Sequence, residues 1–258
     1  MKVVIFAGGF GTRLMEETEA RPKPMVEIGG KPILWHIMKS YSNYGFNDFV
    51  ICLGYKGYMI KEYFMNYFMH NADVTIDLKN NNIEIHKSKS EEFKVTLIDT
   101  GLNTKTAGRL KRVQHLLRDS TFMLTYGDGL CDMNILDLLD FHKKNGRVGS
   151  ITAIQPSGRF GSLDINQQGS VTKFIEKPKG DGFWINAGFF VLEPTVFDFI
   201  PEDADDVMWE EDPLRNMASA GELSAFKYSG FWKCMDHLRD KTELENLWES
   251  GNAPWKTW

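Results

Sequence analysis

Cysteine is scarce in this 258-residue chain: Cys52, Cys131 and Cys234 are the full set. An odd number with no C-x-x-C pair leaves neither a disulfide framework nor a zinc knuckle, and points to a reducing compartment. Long apolar runs are absent, so no transmembrane helix is expected. The apolar opening Val3 to Ala7 meets Gly8 and Gly9 too soon to be the core of a signal peptide. Positive charge is not in excess. Lys plus Arg amounts to 30 against 35 for Asp plus Glu, a net charge of −5, which argues against general nucleic-acid binding through phosphate neutralisation. None of the 6 histidines forms an H-E-x-x-H pair, which argues against a zinc hydrolase, and the G-x-S-x-G elbow of serine hydrolases is missing. These absences leave a soluble cytoplasmic protein with neither a nucleic-acid nor a membrane partner.

Hydrophobic residues make up 42% of the chain, enough for a large core and too many for intrinsic disorder. The length allows one large α/β domain or two smaller ones. Val3–Ala7 reads as a strand buried on both faces of a parallel sheet. Pro32–Tyr44 reads as a helix, with Pro at its start and Ile33, Ile37, Tyr41 and Tyr44 near helical spacing. Phe49–Leu53 is a second buried strand and Lys56–His70 a second helix. Such strand–helix alternation predicts a doubly wound, mixed but mostly parallel sheet with right-handed crossovers. Short strands at 74–77, 83–86 and 94–98 form a β-rich excursion, with Lys79 to Asn82 as a turn. A helix is expected over 106–117, a buried strand over 122–125, a helix over 135–144 and a strand over 149–154. A C-terminal lobe over about 155–232 holds strands near 161–165, 171–176, 184–192 and 223–228, and a last helix runs over 238–248. The chain is thus read as a single domain: a nucleotide-binding half to about residue 154, the lobe, and a helix and tail over 233–258.

Five stretches carry chemistry. Gly8-Gly9-Phe10-Gly11-Thr12-Arg13 follows the first strand, where glycines let backbone N–H groups approach an anion at the carboxyl edge of the sheet. It is neither a Walker A loop nor a dinucleotide fingerprint, since no Gly-Lys-Ser/Thr follows and Leu14 takes the third glycine position. In Arg21-Pro22-Lys23-Pro24 the prolines stiffen the backbone around Lys23, which with Arg13 suits a polyphosphate. Tyr126-Gly127-Asp128-Gly129 ends a buried strand with a carboxylate suited to Mg²⁺, although an Asp that organises its own turn is the alternative. Asp236, in Trp232-Lys233-Cys234-Met235-Asp236-His237, is either the cap of the last helix or a second metal carboxylate. Finally, Glu176-Lys177-Pro178-Lys179 and Asn186 offer groups for sugar hydroxyls and a sugar phosphate. The seven acids between Pro201 and Asp212 read as a solvated loop.

In combination, Gly8 to Arg13, Arg21 to Pro24 and Glu176-Lys177-Pro178 resemble the sugar-1-phosphate nucleotidylyltransferase family, in which G-G-x-G-T-R-L, P-K-P and E-K-P recur in this order. Val26 to Met38, Gly54-Tyr55-Lys56-Gly57, Tyr126 to Gly129 and Ala253-Pro254-Trp255-Lys256-Thr257-Trp258 are similar to members that use CTP and glucose 1-phosphate. The resemblance implies that CTP and α-D-glucose 1-phosphate give CDP-glucose, destined for bacterial dideoxysugars, and pyrophosphate. It implies in-line attack without a covalent enzyme intermediate and a bacterial cytoplasmic setting. Phe6, Ala7, Gly8, Gly9, Phe10, Gly11, Thr12 and Arg13 would hold base and triphosphate, with Gly127, Thr104 and Arg109 also at the nucleotide. Arg13, Lys23 and Asp128 would carry catalysis, and Asp128 and Asp236 would hold Mg²⁺. Lys177 and Lys179 would hold the sugar phosphate, and Glu176 and Asn186 the hydroxyls.

Rival readings are UTP or dTTP with another hexose 1-phosphate, a nucleotide-sugar sensor, and a nicotinamide-dependent enzyme. The family implies a homo-oligomer, a hexamer in its pattern. Trp255 and Trp258 would waste large apolar area if the tail dangled. Docking on their own subunit or on a neighbour are the two alternatives.

Overall fold

The computed structural model describes residues 1–88, 90–156, 161–176 and 183–258. Elements run from β1 (Lys2–Ala7), α1 (Met15–Thr18), β2 (Glu27–Ile28), β3 (Lys31–Pro32) and α2 (Ile33–Ser42) to β4 (Asp48–Leu53) and α3 (Gly57–His70). Next come β5 (Ala72–Asp77), β6 (Asn82–Ser88), β7 (Lys94–Asp99), α4 (Thr106–Arg112), β8 (Phe122–Tyr126), β9 (Gly129–Cys131) and α5 (Ile135–Asn145). The chain continues through β10 (Gly149–Ile154), β11 (Ser162–Ile165), β12 (Val171–Ile175), β13 (Ile185–Leu192) and α6 (Asp212–Ser219). It ends with β14 (Leu223–Tyr228), β15 (Trp232–Cys234) and α7 (Leu238–Glu249).

Seven strands form one sheet in the order β14-β10-β13-β8-β1-β4-β7. Every pairing is parallel except those of β13, which runs antiparallel to β8 and to β10. The sheet is therefore mixed and mostly parallel, as the strand–helix alternation predicted. Period-two side chains divide the core. Val3, Ile5 and Ala7 of β1 pack with Ile33, Leu34, Ile37, Met38 and Tyr41 of α2. Val4 and Phe6 face the other way, onto Ala107 and Leu110 of α4 and the fully buried Trp209. Helices thus cover both faces, and the loops at the carboxyl ends of β1, β4 and β8 are held rigidly from below.

Local chemistry sets the helix ends. The Asn134 side chain accepts from the Leu136 N–H at 3.0 Å, capping α5, and Gly146 closes it in the left-handed conformation. α7 starts at His237, whose N–H donates to Asp240 Oδ2 at 2.9 Å. Asp236 is therefore not the cap, and its carboxylate is left for other partners.

Some expectations need correction. Lys94–Asp99 is no part of a separate excursion: it is the outer strand of the main sheet, in parallel register with β4 from Asp48↔Lys94 to Leu53↔Asp99. Its alternating Val95 and Leu97 pack on one core and Ile98 on the other. Only the β5–β6 hairpin stands apart. The helix expected to reach residue 117 stops at Arg112 and gives way to a tight turn at Gln114–Leu116. The acidic run is an exposed loop, as expected, with all seven acids at the surface, but its backbone is anchored. Ala204 and Trp209 are buried, and the carbonyls of Asp205 and Val207 accept from the N–H groups of Lys105 and Ala107 at the start of α4. Its acids Glu202 and Asp205 pair with Lys111 and Arg112. It then runs into α6, which the sequence reading missed.

The tail docks on its own chain. Trp255 is fully buried, stacks on Phe231 and Trp248 at 5.7 and 6.5 Å, and points its indole N–H at His36 Nδ1, 3.4 Å away. Trp258 meets the Trp35 ring edge-on at 5.8 Å. His36 Nε2 lies 2.8 Å from the Ile28 carbonyl, and burial lowers the imidazole to about 4, so the ring is neutral. Among the described residues no helix is long and apolar enough to cross a membrane.

Candidate active site

A cavity of about 480 Å³ opens at the carboxyl ends of β1 and β8. Phe6, Ala7, Gly9, Gly11, Thr12 and Arg13 form one wall, Lys23 and Pro24 another, and Gly127, Asp128, Asn186 and Asp236 close it. Parts of the Gly-rich loop and of the Pro-Lys-Pro and Tyr-Gly-Asp-Gly stretches, dispersed along the chain, therefore meet with Asp236 and Asn186. A larger, shallow groove of about 730 Å³ lies on α7 around Arg239, Glu243 and Leu247, away from these groups.

Close backbone approach explains two of the glycines. A Cβ on Gly127 would stand 2.7 Å from the Phe6 carbonyl and 3.1 Å from Pro24, so a side chain there would wedge β8 away from the P-K-P turn. A Cβ on Gly8 would sit 2.1 Å from the Arg109 guanidinium. That guanidinium is buried and donates to the carbonyls of Gly8 at 3.0 Å, Leu53 at 2.9 Å and Gly101 at 2.9 Å, and to the Thr100 hydroxyl at 2.8 Å. It thus fastens together the loops after β1, β4 and β7. Arg109 lies behind the Gly-rich loop, and neither it nor the buried Thr104 is on the cavity wall. Gly8 is also off the wall, and Phe10 is exposed with its ring 5.4 Å from Tyr55.

The charged centre is compact. Lys23 sits on a tight turn after Pro22 and bridges two carboxylates, with Nζ 2.6 Å from Asp128 Oδ2 and 2.7 Å from Asp236 Oδ1. Arg13 holds the other Asp236 oxygen at 2.7 Å. β9 and β15 bring the two aspartates together. They pair antiparallel from Trp232↔Cys131 to Cys234↔Gly129, and the Met235 N–H donates to the Asp128 carbonyl at 2.9 Å. Burial alone would lower the Lys23 ammonium, but the charges and hydrogen bonds of Asp128 and Asp236 outweigh it and hold it above its ordinary range. Burial likewise opposes charge on Asp236, yet Lys23 and Arg13 keep its carboxyl below the usual value. Burial and the neighbouring Asp128 push the Cys234 thiol up, so it is no nucleophile at neutral pH.

Asp128, Cys234 and Asp236 offer ligand atoms within 4.8 Å of one another. Two carboxylates already converging on one cation, the Lys23 ammonium, are a donor set that fits Mg²⁺ when phosphate oxygens complete it.

At the sugar end the outcome is divided. Asn186 lines the cavity, its Nδ2 donating to the Tyr126 hydroxyl at 3.2 Å and its Oδ1 accepting from the Gly188 N–H at 2.7 Å. Glu176 is exposed beyond the end of β12 and is not part of the lining. Lys177 and Lys179 fall outside the described residues. Sequence reasoning missed Thr106, Tyr126, Glu210 and Trp232, all of which line the cavity. Tyr126 donates to Glu210 at 2.6 Å, and burial followed by that carboxylate raises the phenol well above its ordinary value. The available signal for Glu210 was Trp209, a large apolar side chain inside an acidic run, which marks an anchored segment.

The family model described as Nucleotidyl transferase matches residues 2–234. The chain is 59% identical to the glucose-1-phosphate cytidylyltransferase of Salmonella typhi and 43% identical to the probable glucose-1-phosphate cytidylyltransferase of Bacillus subtilis, each over the full length of both chains. Among solved structures, HddC from Yersinia pseudotuberculosis superposes with a TM-score of 0.69 at 25% identity, covering 96% of this chain and 99% of its own. A Gly-rich loop, a lysine and two aspartates gathered in one cavity agree with this kinship, and the chain belongs to the nucleotidyl transferase family.

Proposed function

We propose that this chain is a glucose-1-phosphate cytidylyltransferase: it transfers the cytidylyl group of CTP to α-D-glucose 1-phosphate, giving CDP-glucose and pyrophosphate. The observation that carries the reading is the Lys23–Asp128–Asp236–Arg13 cluster beside the Gly-rich loop. The choice of CTP and glucose rests on the likeness to cytidylyltransferases over the whole chain.

In this mechanism the backbone from Phe6 to Arg13 and Gly127 cradles the nucleotide, and Arg109 braces the loop from behind. A phosphate oxygen of glucose 1-phosphate attacks the α-phosphorus of CTP, and the bond from that phosphorus to the bridging oxygen breaks on the opposite side. The electron pair leaves with pyrophosphate. Arg13 and Lys23 stabilise the charge that develops, an interaction stronger in the transition state than in the ground state. Asp128 and Asp236 hold Mg²⁺, which supplies charge neutralisation at the α-phosphate when bound. Lys23 Nζ, held beside both carboxylates, would also reach the phosphates. Asn186, Glu176, Lys177 and Lys179 bind the sugar phosphate.

The lobes are parts of one domain in this reading, nucleotide binding falling to about residues 1–154 and sugar binding to about 155–232, with the helix and tail over 233–258. A free nucleoside triphosphate as substrate suits the bacterial cytoplasm. We also propose a homo-oligomer, hexameric by resemblance. Ile76, Ile83 and Ile85 lie on one face of the β5–β6 hairpin and are exposed, a patch that suits contact with another copy. Light scattering should give a mass several times 29.6 kDa, and a monomer would refute this part.

The test is the initial rate of pyrophosphate release with glucose 1-phosphate and, in turn, CTP, UTP, dTTP, ATP and GTP. CTP should be fastest; a clear preference for another nucleotide would transfer the reading to that pair.

A further inference from the structure

A second polar cluster lines the cavity, with no hydrogen bond to Arg13, Lys23, Asp128 or Asp236. Glu210 is fixed at both oxygens: Tyr126 OH donates to Oε1 at 2.6 Å and Thr106 Oγ1 donates to Oε2 at 2.7 Å. The Trp209 N–H donates to Thr106 Oγ1 at 2.8 Å, and the Trp209 ring is fully buried, so the backbone carrying Glu210 is anchored. Asn186 donates in turn to the Tyr126 hydroxyl at 3.2 Å. Trp232 stands in the same cavity with its indole N–H bound to the Ala187 carbonyl at 2.8 Å, which sets the ring's orientation.

A carboxylate oxygen accepts more than one hydrogen bond, so each oxygen of Glu210 keeps acceptor capacity beyond its hydroxyl donor. Among the described residues Glu210 has no Lys or Arg within ion-pair distance. A positioned carboxylate beside an amide and an aromatic ring is poorly suited to phosphate. It is well suited to a pyranose, which presents hydroxyls at its edge and C–H groups on its face. The topology gives the same direction. Asn186 and Tyr126 come from β13 and β8, on one side of β1, whereas Arg109 ties Gly8 to the loops after β4 and β7 on the other side.

We propose that Glu210, held by Tyr126 and Thr106, is a specificity-determining residue that accepts a hydroxyl of the hexose. The proposal rests on the reading that a hexose 1-phosphate is the acceptor. It assigns to the acidic segment a job that its composition hides: reading the sugar.

The experiment is steady-state kinetics of wild type and Glu210→Gln with glucose 1-phosphate and its 2-, 3-, 4- and 6-deoxy analogues. With glucose 1-phosphate the variant should lose about ten- to a hundredfold in kcat/KM, mostly through KM, as for a hydrogen bond to a charged group. KM for CTP should stay within about twofold. With one deoxy analogue wild type and variant should become nearly equal, because the contact is already gone, while the other analogues keep the gap. Tyr126→Phe should give a smaller loss with the same analogue pattern, and it serves as the test if Glu210→Gln does not fold. An equal gap on every analogue would overturn the proposal, as would a gap that closes only with 2′-deoxy-CTP, which would assign Glu210 to the ribose. Wild-type protein inactive with every hexose 1-phosphate would overturn the parent reading, and this one with it.

Discussion

The cluster around Lys23 and the cluster around His36 treat charge in opposite ways. At the cavity, Lys23 is partly buried yet held charged by Asp128 and Asp236. Under the tail, His36 is wholly buried and held neutral among Trp35, Trp248, Trp255 and Trp258. The first arrangement concentrates paired charge on the wall of the cavity. The second removes charge where packing alone is wanted. Function is therefore expected to follow the first cluster and stability the second.

The sharpest separation is Asp128→Asn. Turnover should fall by about 10³-fold, the scale of losing a group aimed at transition-state charge, and excess EDTA should abolish activity in wild type. The melting temperature should barely move, because a partly exposed ion pair contributes little net stability. Activity that survives EDTA would break this side of the comparison.

Trp255→Ala is the mirror experiment. Removing a fully buried indole should cost about 3–5 kcal/mol of stability while the remaining folded protein keeps its kcat. Denaturant midpoints and single-temperature rates on the same samples would check it. A loss of kcat without loss of stability would show that the two clusters are not independent.

Acid gives a smaller, graded effect. The folded state lowers His36 from 6.5 to about 4, so between those values the unfolded chain binds a proton that the folded chain does not. Stability from this group is therefore complete above about pH 6.5 and declines as pH falls to about 4, by about 3 kcal/mol. Urea midpoints across this window should fall in wild type and fall less in His36→Phe, whose starting stability is lower.

How much of this was legible in the sequence follows the same division. Apolar runs ended by glycine gave β1, β4 and β8, because strands buried on both faces have no other composition. The residues of the charged centre were legible because each lies in a short motif: Gly8 to Arg13, Lys23 between prolines, Asp128 between glycines. What was not legible depends on pairing between distant segments. Lys94–Asp99 has the polar look of a hairpin strand, and only its register with β4 makes it a sheet edge. The role of Asp236 was ambiguous because it depends on the β9–β15 pairing and on Asp240 taking over the helix start. Glu210 was hidden among the other acids of its segment, and only the buried Trp209 distinguishes it.

The central claim is that the charged cluster makes CDP-glucose, and phosphorus NMR of one reaction tests it most directly. With CTP, glucose 1-phosphate and Mg²⁺, wild type should convert the two substrates into CDP-glucose and pyrophosphate in equal amounts, and Asp128→Asn should leave both substrates unchanged over the same period. Pyrophosphate without CDP-glucose, or equal conversion by the variant, would contradict it.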